Sequence, residues 1–141
     1  MHMQVLSMQV GYSVRRMTPS TDTAELRSAW RELMSAHARV SEALDHALAQ
    51  RHGLSLSEFE VLQRLAESPD GDRRMQELAE EIHLSPSALS RLVGRLEKAG
   101  YATREICETD RRGIYACITG AGRAAQERAE PTQREVLAAT L

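Results

Sequence analysis

The chain has 141 residues and a net charge of −2, with 42% hydrophobic and 27% charged residues. That balance excludes a disordered chain and predicts one globular domain, large enough for a core without disulfides or metals. No apolar run approaches the roughly 20 residues of a membrane span, so no membrane partner is expected.

Residues 1–20 contain apolar positions broken by Gln4, Ser7, Gln9 and Gly11, and Arg15 and Arg16 follow them rather than precede them. This is not the layout of an export signal, so the segment is read as a disordered tail on a cytoplasmic protein. The cysteines, Cys107 and Cys117, show no metal-binding spacing, and the five histidines do not cluster. A disulfide scaffold, a metal site and a bound cofactor are therefore not expected.

The domain proper is read as residues 21–141. A long helix is predicted over 22–52. Leu26, Trp30, Leu33, His37, Val40, Leu44 and Ala47 recur at alternating steps of four and three, and Gly53 ends the run. One small lobe cannot use up so long a stripe, so part of it is expected to face a second copy of the chain. Trp30 and His37 lie on this stripe as weak candidates for lining a ligand pocket, although packing is the commoner role for both.

A second helix begins in LSLSEFEVLQRLAES. Ser57 and Glu60 are read as its capping box, and Phe59, Leu62 and Leu65 as its buried face. A short helix over 76–83 follows, with no good capping residue before it. Then comes SPSALSRLVGRLEKAG, where Ser85 is the N-cap and Pro86 the first helical residue. Leu89, Leu92, Val93 and Leu96 form the apolar stripe. The opposite side presents Ser87, Ser90, Arg91, Gly94, Arg95 and Lys98, and no acidic residue occurs from Ile82 through Leu96. Short hydroxyls and arginines reach phosphates and base edges, and glycine permits close approach. By itself such a face is as often merely solvated.

After Gly100 the period changes to two. YATREIC and IYACIT read as two strands joined by ETDRRG, a hairpin directly behind the candidate recognition helix. Helix, turn, helix and hairpin make a winged helix, with Asp110, Arg111 and Arg112 at the wing tip. A turn centred on Arg112 would place Cys107 opposite Cys117, as two reduced thiols. Residues 82–123 hold seven basic and four acidic side chains, a net of +3, which leaves −5 for the rest of the chain. A basic face on an acidic body is the footprint of nucleic-acid binding. Residues 120–141 return to helix. Ala121, Ala124, Ala125 and Ala129 are read as its apolar stripe, and Pro131 as a kink or a new start.

Over roughly residues 22–137 the chain resembles the MarR-type winged-helix transcriptional regulators. The wing signature is carried by Asp110, Arg112, Ile118, Thr119 and Gly120. The recognition-helix pattern is carried by Ser85, Ser87, Ser90, Arg91, Leu96 and Glu97. The resemblance implies a mainly α fold with a small β-hairpin wing: a lobe at about 54–119 flanked by dimerisation helices at about 22–52 and 120–141. It implies a homodimer on double-stranded DNA, at a pseudo-palindromic operator, repressing genes and responding to a small phenolic or anionic effector. Ser85, Pro86, Ser87, Ser90, Arg91, Arg95, Lys98, Asp110, Arg111 and Arg112 are the expected DNA-binding residues. Arg112 is the expected minor-groove residue, oriented by Asp110. The family's C-terminal segment commonly runs further than Leu141, and the reactive first-helix cysteine of its peroxide-sensing branch has no counterpart. No phosphate loop, nucleophile elbow or metal-hydrolase helix occurs, so no enzyme is expected. The alternative is a winged helix used only to bind another protein.

Overall fold

A computed structural model describes residues 22–107 and 113–141. The expected tail at 1–20 and the wing-tip residues Asp110, Arg111 and Arg112 lie outside them. The chain order is α1 (Thr23–His52), α2 (Leu56–Glu67), β1 (Asp72–Arg74), α3 (Met75–Glu81), α4 (Pro86–Lys98), β2 (Ala102–Cys107), β3 (Gly113–Ile118) and α5 (Gly120–Thr140). The fold is mainly helical, with one three-stranded antiparallel sheet of order β1-β3-β2.

Each long helix starts where a side chain can satisfy its first amides. Asp22 accepts from the Ala24 amide at 2.9 Å and opens α1. Gly53 closes it at φ 67°, a left-handed conformation that favours glycine, with amides 53 and 54 returning to the Ala49 and Leu48 carbonyls. The capping box of α2 is Ser55 with Glu58, not Ser57 with Glu60. Both pairs fit the same sequence signature. The earlier one prevails because Asp45 of α1 accepts from the Leu56 amide at 2.8 Å and so satisfies the first turn from outside the helix. Short α3 has no side-chain cap, as its sequence suggests. Its start at Met75 is set by β1, which ends one residue before.

The core gathers Leu48, Phe59, Leu62, Leu65, Leu78, Leu89, Val93 and Leu96, all nearly fully buried. Four helices thereby share one apolar centre, and Ala102 and Ala116 of the sheet close it. Burying one such side chain contributes about 1.5–3 kcal/mol. The α4 stripe of Leu89, Leu92, Val93 and Leu96 fixes which face of that helix turns outward.

The structure departs from the sequence expectations in three further places. The strand register places Cys117 opposite Thr103 and Cys107 opposite Gly113, so the two cysteines are not cross-strand neighbours. A short charged strand, β1, joins the hairpin as a third member of the sheet. It pairs with β3 so that Asp72, Arg73 and Arg74 face Cys117, Ala116 and Tyr115. Finally, Pro131 does not start a new helix, because α5 continues through it. The carbonyl that Pro131 cannot bond belongs to exposed Glu127, on the outer side of the helix. Its buried stripe is Gly122, Ala125, Gln126, Ala129 and Thr132, whereas Ala121 is exposed.

The N-terminus of α5 is pinned to the end of α4. Thr119 accepts from the Gly122 amide at 3.0 Å and donates to the Gly100 carbonyl at 2.6 Å. A Cβ at Gly122 would collide with the Tyr101 carbonyl oxygen, so only glycine lets α5 approach this closely. Further along, α5 lies against α1, with His52 bonded to Thr132 at 2.7 Å and Arg51 paired with Glu135 at 3.3 Å.

Candidate nucleic-acid interface

Helix α4 presents its outward face over its whole length. Ser85 caps it by accepting from the Ala88 amide at 3.2 Å, and Pro86 fills the first helical position. Ser87, Arg91, Gly94 and Lys98 follow at steps of four, three and four, which stacks them in one line along the helix. Ser85, Pro86, Ser87, Arg91 and Lys98 are exposed, and Gly94 is half-buried. Neither Arg91 nor Lys98 has an ion-pair partner among the described residues. The line therefore carries two uncommitted cations, a hydroxyl and a gap where backbone can be approached.

The two remaining candidates lie on either flank of that line and are already engaged. Arg95 is exposed, and its Nε lies 3.2 Å from Glu58 Oε2 of α2. Ser90 is half-buried and accepts from Arg104 of β2 at 2.8 Å. Arg104 and Glu58 were not among the expected site residues. A charged residue at the inward-facing position between Ala102 and Ile106 was the one signal that could have exposed Arg104. The pattern marks Glu58 only as a possible capping residue; its pairing with Arg95, 37 residues away, leaves no local signal.

Behind α4 the sheet supplies a second basic element. Arg74 of β1 sits 5.7 Å from the centroid of the Tyr115 ring, a cation–π distance. Arg73 pairs with Glu81 of α3. Ile106 and Ile114 face each other across the outer wing and are both exposed.

A separate cleft of about 610 Å³ opens between α1 and the lobe. Leu33, Val40 and Leu44 form its apolar wall, and His37, Glu60 and Arg64 bring polar groups to it. His37 is thus in the cleft, 3.4 Å from Ser41, whereas Trp30 is not among its lining residues and is 57% exposed on α1. Glu60, relieved of any capping role, has no hydrogen-bond or ion-pair partner among the described residues. Burial pushes its carboxyl above the usual carboxylate range; Arg64 opposes that shift and Glu67 adds to it.

A helical core, a recognition helix with a basic outer line and a hairpin behind it define a winged helix-turn-helix protein. The MarR family model matches residues 52–113. The chain is 33% identical to Sco3205, described as a MarR family transcriptional regulator from Streptomyces coelicolor in complex with DNA; the match covers 89% of this chain and 79% of that one, with a TM-score of 0.77. It is 35% identical over 82 residues to the HTH-type transcriptional repressor Rv2887 of Mycobacterium tuberculosis. That match covers 58% of each chain, so it spans little more than half the length of the curated relative. It is 27% identical to CouR from Rhodococcus jostii, solved bound to p-coumaroyl-CoA, over 79% of this chain and 77% of that one, with a TM-score of 0.68. The chain belongs to the MarR family of transcriptional regulators.

Proposed function

We propose that the protein is a cytoplasmic repressor that binds double-stranded DNA as a homodimer at a pseudo-palindromic operator. The observation that carries this reading is the line of Ser87, Arg91, Gly94 and Lys98 on a helix face free of carboxylates. Its cations are available to phosphates and base edges, and the buried stripe behind it holds the helix rigid. Ser85 and Pro86 set the helix N-terminus toward a phosphate. Arg95 and Ser90 flank the line. Arg112, oriented by Asp110, would extend it into the minor groove, and Arg111 would meet solvent or a backbone phosphate.

The dimer would form through α1 and α5. Leu26, Trp30, Leu33 and Met34 leave an apolar face on the first half of α1, and Leu141 adds to it at the other end of the chain. Exposed apolar groups gathered on one element mark an interaction surface. The cleft beside α1 would take a small phenolic or anionic effector. A phenolic hydroxyl would satisfy Glu60, and an anionic group would compete with Glu81, 3.7 Å from Arg64, for that guanidinium. The relative solved with p-coumaroyl-CoA supports the effector, and the relative named a repressor supports repression.

The deciding experiment is binding to duplex DNA over a salt series, followed by a genomic footprint. Affinity is expected to fall steeply and log-linearly with salt, because phosphate contacts release counterions. Binding that is absent or insensitive to salt would instead leave a protein-interaction module.

A further inference from the structure

Arg104 stands in the middle of β2, opposite Ala116 of β3, on the sheet face that turns toward α4. Its guanidinium makes three hydrogen bonds, all to that helix. Nη1 donates to Ser90 Oγ at 2.8 Å, Nη2 to the Ser90 carbonyl at 2.7 Å, and Nε to Glu97 Oε1 at 3.1 Å. Ser90 and Glu97 are two helical turns apart on one side of α4, so a single planar group spans them. Gly94 lies between the two. A Cβ there would come within 3.3 Å of Nη2, so the absent side chain leaves room for the fork. The side chain is 31% exposed, and the line formed by Ser87, Arg91 and Lys98 is on a neighbouring face of the helix.

We infer that Arg104 is a positioning residue that locks the wing to the recognition helix, and that Ser90, Glu97 and Gly94 form its seat. This rests on the DNA-binding reading above. A winged helix reads DNA with two elements at once, so the angle between them must match the groove spacing. In this chain that angle is held by a fork of hydrogen bonds as well as by apolar contact. Arg104 is a basic residue in a basic region, yet all three of its nitrogens donate to α4. It should therefore act on specificity without contributing a phosphate contact. Ser90 serves as an acceptor in the seat rather than as a reader of bases.

The test uses the full chain and a duplex recovered by footprinting with the wild-type protein, compared with a random duplex of equal length. Arg104→Ala is expected to weaken binding to the footprinted duplex about tenfold, in the range seen for residues that act through packed networks. Binding to the random duplex and the slope of affinity against salt should stay at wild-type values. Amide exchange in β2 should quicken. Arg104→Lys should behave like Arg104→Ala, because a compact ammonium lacks the planar fork that reaches both Ser90 and Glu97. Glu97→Ala, which leaves Arg104 in place but removes the far end of its seat, should lower the preference for the footprinted duplex in the same direction. A salt slope lower by about one, with equal losses on both duplexes, would make Arg104 a phosphate contact and overturn the inference. So would wild-type discrimination in Arg104→Lys and Glu97→Ala. A wild-type protein that binds neither duplex would remove the DNA reading itself, before any variant is compared.

Discussion

Glu58 serves two elements with one carboxylate. Its Oε1 accepts from the Ser55 amide at 2.9 Å and completes the cap of α2, while Oε2 lies 3.2 Å from Nε of Arg95 on α4. The start of one helix is thus tied to the outer face of the other. Glu58 is mostly buried and Arg95 mostly exposed, so the carboxylate is the fixed partner and the arginine the adjustable one.

Glu58→Ala should therefore cost more than its ion pair alone. Losing a capping interaction costs about 0.5–2 kcal/mol, whereas an exposed pair contributes about 0.2–1 kcal/mol. Urea unfolding should show Glu58→Ala as the more damaging change and Arg95→Ala as the milder one. Equal losses would mean that the cap contributes nothing measurable.

Arg91→Ala should weaken operator binding more than Arg95→Ala. Arg91 has no ion-pair partner to leave among the described residues, while Arg95 must surrender Glu58 before it can reach DNA. A good bidentate contact to guanine discriminates by about 1–3 kcal/mol, which sets the scale for Arg91. Fluorescence anisotropy on both variants checks the order; the reverse order would place the centre of the interface on the α2 side.

Glu60 gives a pH signature. Its folded-state affinity for a proton lies above that of the unfolded chain, whose usual value is 4.5. The native state then holds more protons than the unfolded state, so stability falls as pH rises from about 4.5 through the raised value. Glu60→Gln removes that loss. The variant should melt higher than wild type at neutral pH and lose its advantage below about pH 4. A constant difference across the range would assign the effect to packing.

Cys117 should be chemically quiet. Burial, with Glu105 and Asp72 nearby, pushes its thiol up to about 11, so little thiolate exists at neutral pH. Alkylation near neutral pH, followed by mass spectrometry of the peptide containing Cys117, should be far slower than for a free thiol. Modification at the rate of a small free thiol would contradict this environment.

The apolar face of α1 should be covered in solution. Light scattering at micromolar concentration is expected to return twice the 15.7 kDa chain mass. Trp30→Glu with Leu33→Glu should return the monomer. A wild-type monomer would leave that face for another partner.

The elements whose apolar residues repeat cleanly are legible in the sequence. The stripe of Leu89, Leu92, Val93 and Leu96 defines both the helix and its outward face, and Gly53, Ser85 and Pro86 mark boundaries through local backbone chemistry alone. Alternation likewise shows that two strands follow Gly100. It cannot set their register, because sliding a strand by an even number of residues leaves every side chain on its original face. The Thr103–Cys117 pairing belongs to a sheet that also contains β1 and is closed at its base by the Thr119 amide on the Tyr101 carbonyl. Strand β1 itself is three charged residues with no pattern to read. The choice between Ser55 and Ser57 as cap is equally open until Asp45, from another helix, meets the Leu56 amide. Periodicity and capping act over one or two turns, so sequence determined the helices, the two hairpin strands and the chemistry of the α4 face. Arg104 on Ser90 and Glu58 on Arg95 join residues 14 and 37 positions apart, and only the packed fold brings them together.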